Sequence, residues 1–480
     1  TRNGVEDVEV VEPLTNYTVA RVQKNWKGNT LLGGMVTSVN RALDQPYLED
    51  FMVRNAFTAG IDFTQYFKNR LYYIDVKGML SSLHGSAGAI TALQNSVAHY
   101  YQRASSADYL GVDPTRRSLT GTGGYVKVGR KGNAKWNFSE TFTWSSPGFD
   151  LNDMGYMKET DYLMNETEIM YRQTDIWKIF RYNAFTLSQK NMWNYGGTPF
   201  SNNASLRWQS MTMNRYEWDV KETFAWNWLD SRLLRGGPDV RFGSYFLTSA
   251  KFNTDKAKRM MFMLKYEGDH NFEGNRFNTI SPSLTFRLGN HVYLSGQLDY
   301  AWNTDEMQYV ATTSPLSSSS LAPYYYVMGH MDQKTYGLTL KLQVNVTPDI
   351  SIQFYGAPFT SIAKYDDFKL AADTKSHTFE NRFQRIDPDQ LTYADGVYTI
   401  GEGAGQMPFR NPDFRFNEFR SNLVARWEYL PGSTLYFVWE HRMSNRDNWY
   451  SSGWGSNLDR MWGLPATNTF MIKMNYWFNL

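Results

Sequence analysis

The side chains that could perform chemistry are few and scattered along this chain. None of the seven histidines forms the H-E-x-x-H spacing of a zinc hydrolase. The Gly-Thr-Gly-Gly run at 121–124 resembles a phosphate-binding loop, but no Lys-Ser or Lys-Thr follows it. Small residues that allow close packing explain this run better. The sequence therefore predicts no catalytic residue, no metal site and no cofactor.

One acidic stretch, SPGFDLNDMGYM at 146–157, stands apart from the rest. Its carboxylate and amide oxygens are ligands that calcium accepts. Asp and Asn also form turns in which the side chain bonds to its own backbone, and we favour this second interpretation. We expect Asp150, Asn152 and Asp153 to lie together in one extracellular loop.

A larger set of charged residues alternates with apolar ones. If one face of each strand is apolar, these residues would point to the other face and line a wet lumen. Both signs are present, so the sequence predicts no ion selectivity. The candidates for the lumen lining are Asp62, Asp75, Lys77, Lys127, Lys135, Asp219, Lys221, Arg287, Asp299, Lys341, Arg420, Arg426, Glu428 and Lys473.

The elements that position these residues have the period of a β-strand. In 335–347, Leu338, Leu340 and Leu342 alternate with polar residues, and the segments 279–288 and 291–302 alternate in the same way around Gly289 and Asn290. The final segment alternates aromatic and polar residues up to Leu480. An alternation about ten residues long is typical of strands that cross the outer membrane.

The composition supports this interpretation. The chain has 16 Trp, 32 Tyr and 30 Phe among 480 residues, yet its mean hydropathy is −0.53. No apolar stretch approaches the roughly 18 residues that a transmembrane helix requires. The absence of Cys excludes disulfides and thiolate chemistry, and a net charge of +2 gives no reason to expect a nucleic-acid partner. The expected partners are outer-membrane lipid and lipopolysaccharide, with other outer-membrane or periplasmic proteins as further candidates.

Short turns alternate with long connections, as they do in bacterial barrels with periplasmic turns and extracellular loops. We predict an all-β fold, a large antiparallel transmembrane barrel of about 18–22 strands, of which about 19 are visible. Sandwiches and propellers also alternate, but the aromatic content, the long strands and the turn asymmetry favour a barrel. Single-chain bacterial barrels use even strand numbers, so a strand running outward is expected before Thr1.

Two loops are unusually long. The first carries Ile90, Leu93, Val97 and Tyr100 at helical spacing, which predicts a short helix near 89–104. We expect it to pack on its own barrel rim rather than to bind a partner. The second, at about 364–412, carries mixed charge and is expected to fold over the mouth or into the lumen. Aromatic residues suited to docking are Trp449, Tyr450, Trp454 and Trp462.

Four segments resemble one family of Bacteroidota envelope proteins. They are NYTVARVQKNW at 16–26, SPGFDLNDMGYM, QFYGAPFTSIAKYDDFK at 353–369 and FRSNLVARWEYLPGSTLYFVWEHR at 419–442. Proteins of that family combine an amino-terminal sandwich, similar to family-9 carbohydrate-binding modules, with a carboxy-terminal barrel domain of unknown function. The resemblance implies that residues 1–480 are one outer-membrane barrel domain, which lacks its first strand or strands and an upstream periplasmic sandwich. It carries over no catalytic residue. The resemblance transfers only an extracellular-loop motif of unassigned role, which consists of Gly148, Phe149, Asp150, Asn152, Asp153 and Gly155.

The leading hypothesis is a porin-like or substrate-conducting channel in the outer membrane, with glycans as candidate substrates. The alternative is a structural or accessory barrel that anchors a periplasmic domain or docks on another outer-membrane complex. A glycan-active surface enzyme is the third option, but it would require a pair of carboxylates, and no spacing singles one out.

Overall fold

The computed structural model describes residues 10, 12–103, 108–226, 228–316, 324–447 and 454–478. The first strands are β1 (Thr15–Trp26), β2 (Thr30–Arg41), β3 (Asn55–Phe67), β4 (Tyr72–His84), β5 (Ser118–Arg130), β6 (Trp136–Ser145), β7 (Tyr162–Gln173), β8 (Phe180–Trp193), β9 (Pro199–Thr212) and β10 (Glu217–Trp226). The next are β11 (Trp228–Asp230), β12 (Val240–Phe242), β13 (Tyr245–Asn253), β14 (Met260–Asn271), β15 (Arg276–Leu288), β16 (Val292–Thr313), β17 (Tyr325–Asn345) and β18 (Ile350–Ala371). The last are β19 (Phe383–Arg385), β20 (Leu391–Ala394), β21 (Val397–Ile400), β22 (Met407–Arg410), β23 (Phe414–Leu430), β24 (Ser433–Asp447) and β25 (Thr467–Asn475).

Three helices lie in the connections: α1 (Pro46–Glu49), α2 (Ala87–Gln94) and α3 (Trp454–Trp462). No helix in the described part of the chain is long and apolar enough to cross a membrane. The predicted helix at 89–104 is shorter than expected. The helix ends at Gln94. Because Tyr100 has a φ of +47°, which a right-handed helix cannot contain, the helix cannot extend to residue 104.

The strands form one antiparallel sheet in which each long strand pairs with its neighbours along the chain. Among the described residues this sheet has 20 strands, and one of them, β19, has only three residues, which leaves 19 long strands. The predicted all-β transmembrane barrel with about 19 visible strands is confirmed. Two small sheets lie in the loops, β11 with β12, and β20 with β21 and β22.

The two faces of the sheet differ in polarity, as the alternation predicts. Residues opposite each other on neighbouring strands share a face. Val76 pairs with Val126 on one face, while Asp75 pairs with Lys127 on the other. The apolar face leaves large side chains exposed, among them Val126, Leu294, Leu298 and Ile472, which is the arrangement that a lipid environment requires.

Short turns and long loops lie at opposite ends of the sheet. The turn between β15 and β16 contains Gly289 with a φ of +64°, a conformation that glycine adopts without strain. The connections at the other end include residues 85–117, 146–161, 227–244 and 372–413. The second long loop begins later than predicted, because β16, β17 and β18 extend to 21 or 22 residues, well beyond the other strands.

The edge strands of the sheet are β1 and β25. In the described part of the chain, β1 pairs only with β2 and β25 pairs only with β24. Both edge strands run from the loop end to the turn end. β25 ends at Asn475 because its partner β24 begins at Ser433, and the Trp477 backbone N–H donates to the Ser433 hydroxyl just beyond this pairing. Leu480, predicted to complete the last strand, lies outside the described residues.

Candidate functional site

The inner wall carries most of the predicted lumen residues. Asp62 lies opposite Lys77 and is 3.4 Å from the Arg21 guanidinium. Asp75 accepts hydrogen bonds from the Thr64 hydroxyl at 2.8 Å and from the Tyr125 hydroxyl at 2.9 Å. Asp75 is bound from the two neighbouring strands and Arg21 reaches Asp62 across β2, so the wall partly neutralises its own charges.

The same arrangement continues around the sheet. Arg207 donates to Asp219 with Nε at 2.7 Å from the carboxylate, and Lys221 lies opposite Arg207 on the same face. The register also places these predicted residues on the polar face: Arg287, Asp299, Lys341, Arg420, Arg426, Glu428 and Lys473. Side chains such as Lys77, Lys221 and Lys341 remain exposed to solvent there.

Lys135 departs from the prediction. It lies in the turn before β6, where it forms an exposed ion pair with Asp175 of the next turn at 3.1 Å. Its place in the alternation is that of an inward residue, but the strand begins only at Trp136. Lys135 therefore does not line the wall.

A cavity of about 320 Å³ lies on this wall between β16 and β23. Its polar and aromatic lining comes from Tyr293, Lys341, Gln343, Gln353, Tyr355 and Asn422. The Oδ1 atom of Asn422 is buried and has no hydrogen-bond partner among the described residues. A buried acceptor of this kind is costly unless a donor reaches it.

The 146–157 motif folds back against the inside of β5. A Cβ atom on Gly121 would lie 2.1 Å from the Phe149 backbone nitrogen, and one on Gly123 would lie 2.5 Å from the Phe149 ring. Gly148 approaches β5 as closely, because its Cβ would be 2.4 Å from the Thr120 carbonyl oxygen. The Gly-Thr-Gly-Gly run is therefore a packing surface, as the sequence indicated.

The polar residues of the motif bind parts of the protein itself. Asp150 contacts the His99 Nε2 atom at 2.9 Å, and its backbone N–H donates to the Ser81 hydroxyl at 2.9 Å. The other Asp150 carboxylate oxygen accepts from the Asn152 backbone N–H at 2.7 Å, which forms the predicted turn. The described residues contain no cluster of side chains suited to a metal ion.

The remaining motif residues hold the loop in place. Asp153 forms an ion pair with Arg41 at 2.6 Å, which ties the loop to the end of β2. The Asn152 side chain accepts from the Met157 backbone N–H at 2.8 Å. Gly155 permits a close turn, because a Cβ there would be 2.9 Å from the Leu151 carbonyl oxygen. The motif is thus held in place by contacts within its own loop and with the neighbouring strands.

Helix α2 packs beside this segment. Ser86 begins the helix, and its hydroxyl accepts from the Ala89 backbone N–H at 3.0 Å. Ala89 and Ile90 are fully buried, and Leu93 packs on an apolar cluster that includes Leu83 of the inner wall. The helix lies against its own barrel, and Val97, predicted to share its buried face, is exposed because it follows the end of the helix.

A buried ion pair joins the loops across the mouth. Arg103 donates to Asp161 at 2.6 Å, and the Tyr109 hydroxyl donates to the same carboxylate at 2.6 Å. Burial raises the pKa of Tyr109, and the hydrogen bond to Asp161 raises it further. Arg103 also reaches Ser231 at 3.1 Å, so three separate loops meet at this point. We call Arg103, Tyr109, Asp161 and Ser231 the mouth lock.

The loop that contributes Ser231 continues to the far wall. Leu234 and Val240 pack with Met307 of β16 and Met328 of β17 in a buried apolar cluster. A second ion pair closes this side, since Arg382 donates to both oxygens of Glu273 at 2.8 Å. Arg382 is almost completely buried. The described loops therefore span the mouth from β4 to β17.

Sequence reasoning missed these loop contacts. Arg103 and Asp161 are 58 residues apart, and Glu273 and Arg382 are 109 apart, with no shared local pattern. Of the predicted docking aromatics, Trp462 ends α3 and contacts the Phe419 ring at 4.8 Å, whereas Trp449 and Tyr450 lie outside the described residues.

The family described as Domain of unknown function (DUF5916) matches residues 1–480. The chain belongs to this family. No curated protein matches the chain. The match spans the barrel strands, the inner wall and the mouth loops.

Solved structures similar to this DUF5916 chain include two receptors and one outer membrane transporter. The siderophore receptor PirA from Acinetobacter baumannii is 9% identical, with 97% of this chain and 74% of that chain covered and a TM-score of 0.38. The outer membrane transporter YddB from Escherichia coli is 8% identical, with 96% and 68% covered and a TM-score of 0.47. A mutant of the ferric enterobactin receptor PfeA from Pseudomonas aeruginosa is 8% identical, with 93% and 72% covered and a TM-score of 0.42.

Proposed function

We propose that the chain forms a substrate-conducting barrel that its extracellular loops hold shut. The observation that carries this proposal is the contrast between the two ends. The inner wall keeps charged side chains in contact with solvent along the strands, whereas the loops that the structure describes cross the mouth and hold buried ion pairs there. A barrel of this width leaves room for water unless something fills it.

Conductance in planar bilayers tests this proposal. Purified full-length protein is expected to show rare openings, and a variant lacking residues 229–242 is expected to conduct steadily because the bridge to β16 and β17 is gone. A variant lacking 254–258, a turn at the opposite end, serves as the control and should behave like the unmodified protein. Silence of the folded 229–242 deletion would contradict a conducting role.

The cavity on the inner wall supports sugars as the transported class. The Tyr293 and Tyr355 rings offer flat apolar faces, and Gln343, Gln353 and Asn422 offer amides that both donate and accept hydrogen bonds. Replacing Tyr355 by Ala should weaken the block of current by added oligosaccharides, while Tyr300→Ala on the outer face should not. Equal block in the two variants would remove the support for sugars.

A static accessory barrel is the second candidate, and the buried ion pairs favour it. Asp161 is completely buried and Arg103 nearly so, which makes the mouth expensive to open. An accessory barrel would anchor a periplasmic domain or dock on another outer-membrane complex. It would stay silent in the conductance experiment even after the bridging loop is removed.

Closure of the sheet requires a further strand. Because β1 and β25 run in the same direction, they cannot pair antiparallel with each other, whereas one strand running outward between them would pair with both. We propose that such a strand completes an even-numbered barrel, and that residues 1–480 form one barrel domain with it. We also propose that the protein comes from a member of the Bacteroidota and that a carbohydrate-binding sandwich precedes this domain. The sequence of the whole gene product tests both points.

A further inference from the structure

A group of polar side chains lies on the outward face of the sheet, which is otherwise apolar. Glu140, Thr167 and Gln189 pair across β6, β7 and β8, and the rows beside them contain Phe138, Ile169 and Leu187. Because paired residues share a face, these polar side chains point outward with the apolar ones. We call this group the outward polar patch; it consists of Glu140, Asn165, Thr167, Gln189, Asn191 and Asn202.

The patch lies at mid-height on the outer wall. Along β6 the outward residues run from Trp136 at the turn end to Trp144 at the loop end, with Glu140 midway between them. Trp193 marks the loop end of β8, two outward positions above Gln189. Aromatic rows of this kind mark the two membrane interfaces of a barrel. The patch therefore lies at the depth of the hydrocarbon layer.

Hydrocarbon is an unfavourable surrounding for these groups. An outward charged residue at the midplane of a barrel is destabilising, more so for a basic side chain than for an acidic one. The opposite side of the barrel avoids that cost, since Leu298, Leu338, Leu342 and Phe354 occupy corresponding outward positions on β16, β17 and β18. The asymmetry indicates that the patch faces something other than lipid.

The charge in the patch is already satisfied. The Glu140 carboxylate accepts from the Asn165 amide at 2.5 Å and from the Thr167 hydroxyl at 2.6 Å. The outermost group is the exposed amide of Gln189, which has Asn191 and Asn202 beside it. Each amide carries both donors and acceptors, so the surface offered to a neighbour is polar and self-complementary.

We propose that this patch is the contact surface for a second copy of the chain. Two copies inserted in the same membrane in the same orientation can be related only by a two-fold axis along the membrane normal. Such an axis brings each residue of the patch to the depth of its own counterpart. Amides that donate and accept can then pair across the axis, and no unpaired carboxylate meets its equivalent. Small polar side chains hold membrane-embedded surfaces together in this way.

Crosslinking in native outer membranes tests the contact. The chain contains no Cys, so a single substitution gives one reactive thiol per copy. Gln189→Cys in the full chain is expected to form a disulfide-linked dimer upon mild oxidation. Leu298→Cys, on the apolar side of the barrel, is the matched control and is expected to remain monomeric. Equal crosslinking at both positions would show random collision and overturn the proposal.

A second variant keeps the test independent of thiol chemistry. Gln189→Leu combined with Asn191→Leu makes the patch apolar, which lipid tolerates, so the barrel should still fold and show heat-modifiable migration in gels. Light scattering in detergent is expected to show a shift from the dimer mass to the monomer mass. A folded double variant that remains dimeric would refute the contact. So would unmodified protein that is monomeric, or bound only to a different protein.

Discussion

Replacing Asp161 by Ala should open the mouth. The Asp161 carboxylate is fully buried and accepts from Arg103, from Tyr109 and from the Tyr195 backbone N–H. Its removal takes the bound carboxylate away from the buried Arg103 cation. Breaking a buried pair by removing one partner costs about 3–5 kcal/mol, and this cost applies to the closed arrangement of the loops.

This cost translates into a large change in the open population. With tenfold for each 1.4 kcal/mol, the ratio of open to closed mouths should rise between about a hundredfold and a few thousandfold. Open probability of single channels in planar bilayers measures this ratio, and trypsin cleavage at Arg103 in intact cells measures exposure of the lock independently. Heat-modifiable gel migration checks that the barrel itself is folded.

The matched control is Asp175→Ala, which removes an acidic residue from the exposed pair with Lys135. An exposed pair contributes about 0–1 kcal/mol, so neither assay should change. The reasoning would be refuted by a folded Asp161→Ala protein whose open probability and cleavage rate match those of Asp175→Ala. The double variant Arg103→Ala with Asp161→Ala should be less destabilised than Asp161→Ala, because it removes the buried cation together with its carboxylate.

Three further predictions concern other parts of the molecule. Gly121→Val should displace the motif loop at a cost of about 1–3 kcal/mol, seen as faster proteolysis within 146–157, whereas Gly111→Ala, with open space around it, should have no effect. Ala20→Cys with Ile472→Cys should resist a short thiol crosslinker if a strand separates β1 from β25, whereas Ala20→Cys with Val36→Cys should react. Burial opposes the charge on His330, but the hydrogen bond to Glu306 and the nearby Asp332 and Asp366 carboxylates raise its pKa. The contact between protonated His330 and Glu306 stabilises the loop-end extension of β17 below about pH 6.5, and this stabilisation is lost as the pH rises through the raised pKa of His330. Proteolysis of this extension should therefore be slower at pH 6 than at pH 8. His330→Gln should remove the difference.

The strands and their faces were predictable because the bilayer acts on every outward residue in the same way. Leu338 and Leu342 alternate with Thr339 and Lys341, and this local pattern was enough to assign both the period and the face. Lys135 shows the limit of the pattern. The alternation continues into the turn before β6, but only backbone pairing decides where the strand begins.

The mouth was not predictable for a different reason. Its contacts join loops from separate hairpins, and the partners of Arg103 and Arg382 have no fixed spacing from them in the sequence. Even the helix boundary depended on such context. Ile90 and Leu93 had the right spacing and are buried or pack on the wall, but the spacing that includes Tyr100 did not reveal that this residue has a positive φ.

On both walls a charged side chain needs water or a hydrogen-bond partner, but the two walls meet this need in different ways. Inside, charge is tolerated because water or a partner reaches it, as for Lys341 and for the pair of Arg207 with Asp219. Outside, Glu140 lies in a layer without water, yet its carboxylate is bound by Asn165 and Thr167 from the next strand. Lipid chains offer no hydrogen bonds to these polar side chains. A protein neighbour with amides at the same depth can form such bonds with Gln189, Asn191 and Asn202. The mouth lock and the outward polar patch therefore represent separate properties, closure of one barrel and contact between two, and a variant in either should leave the other unchanged.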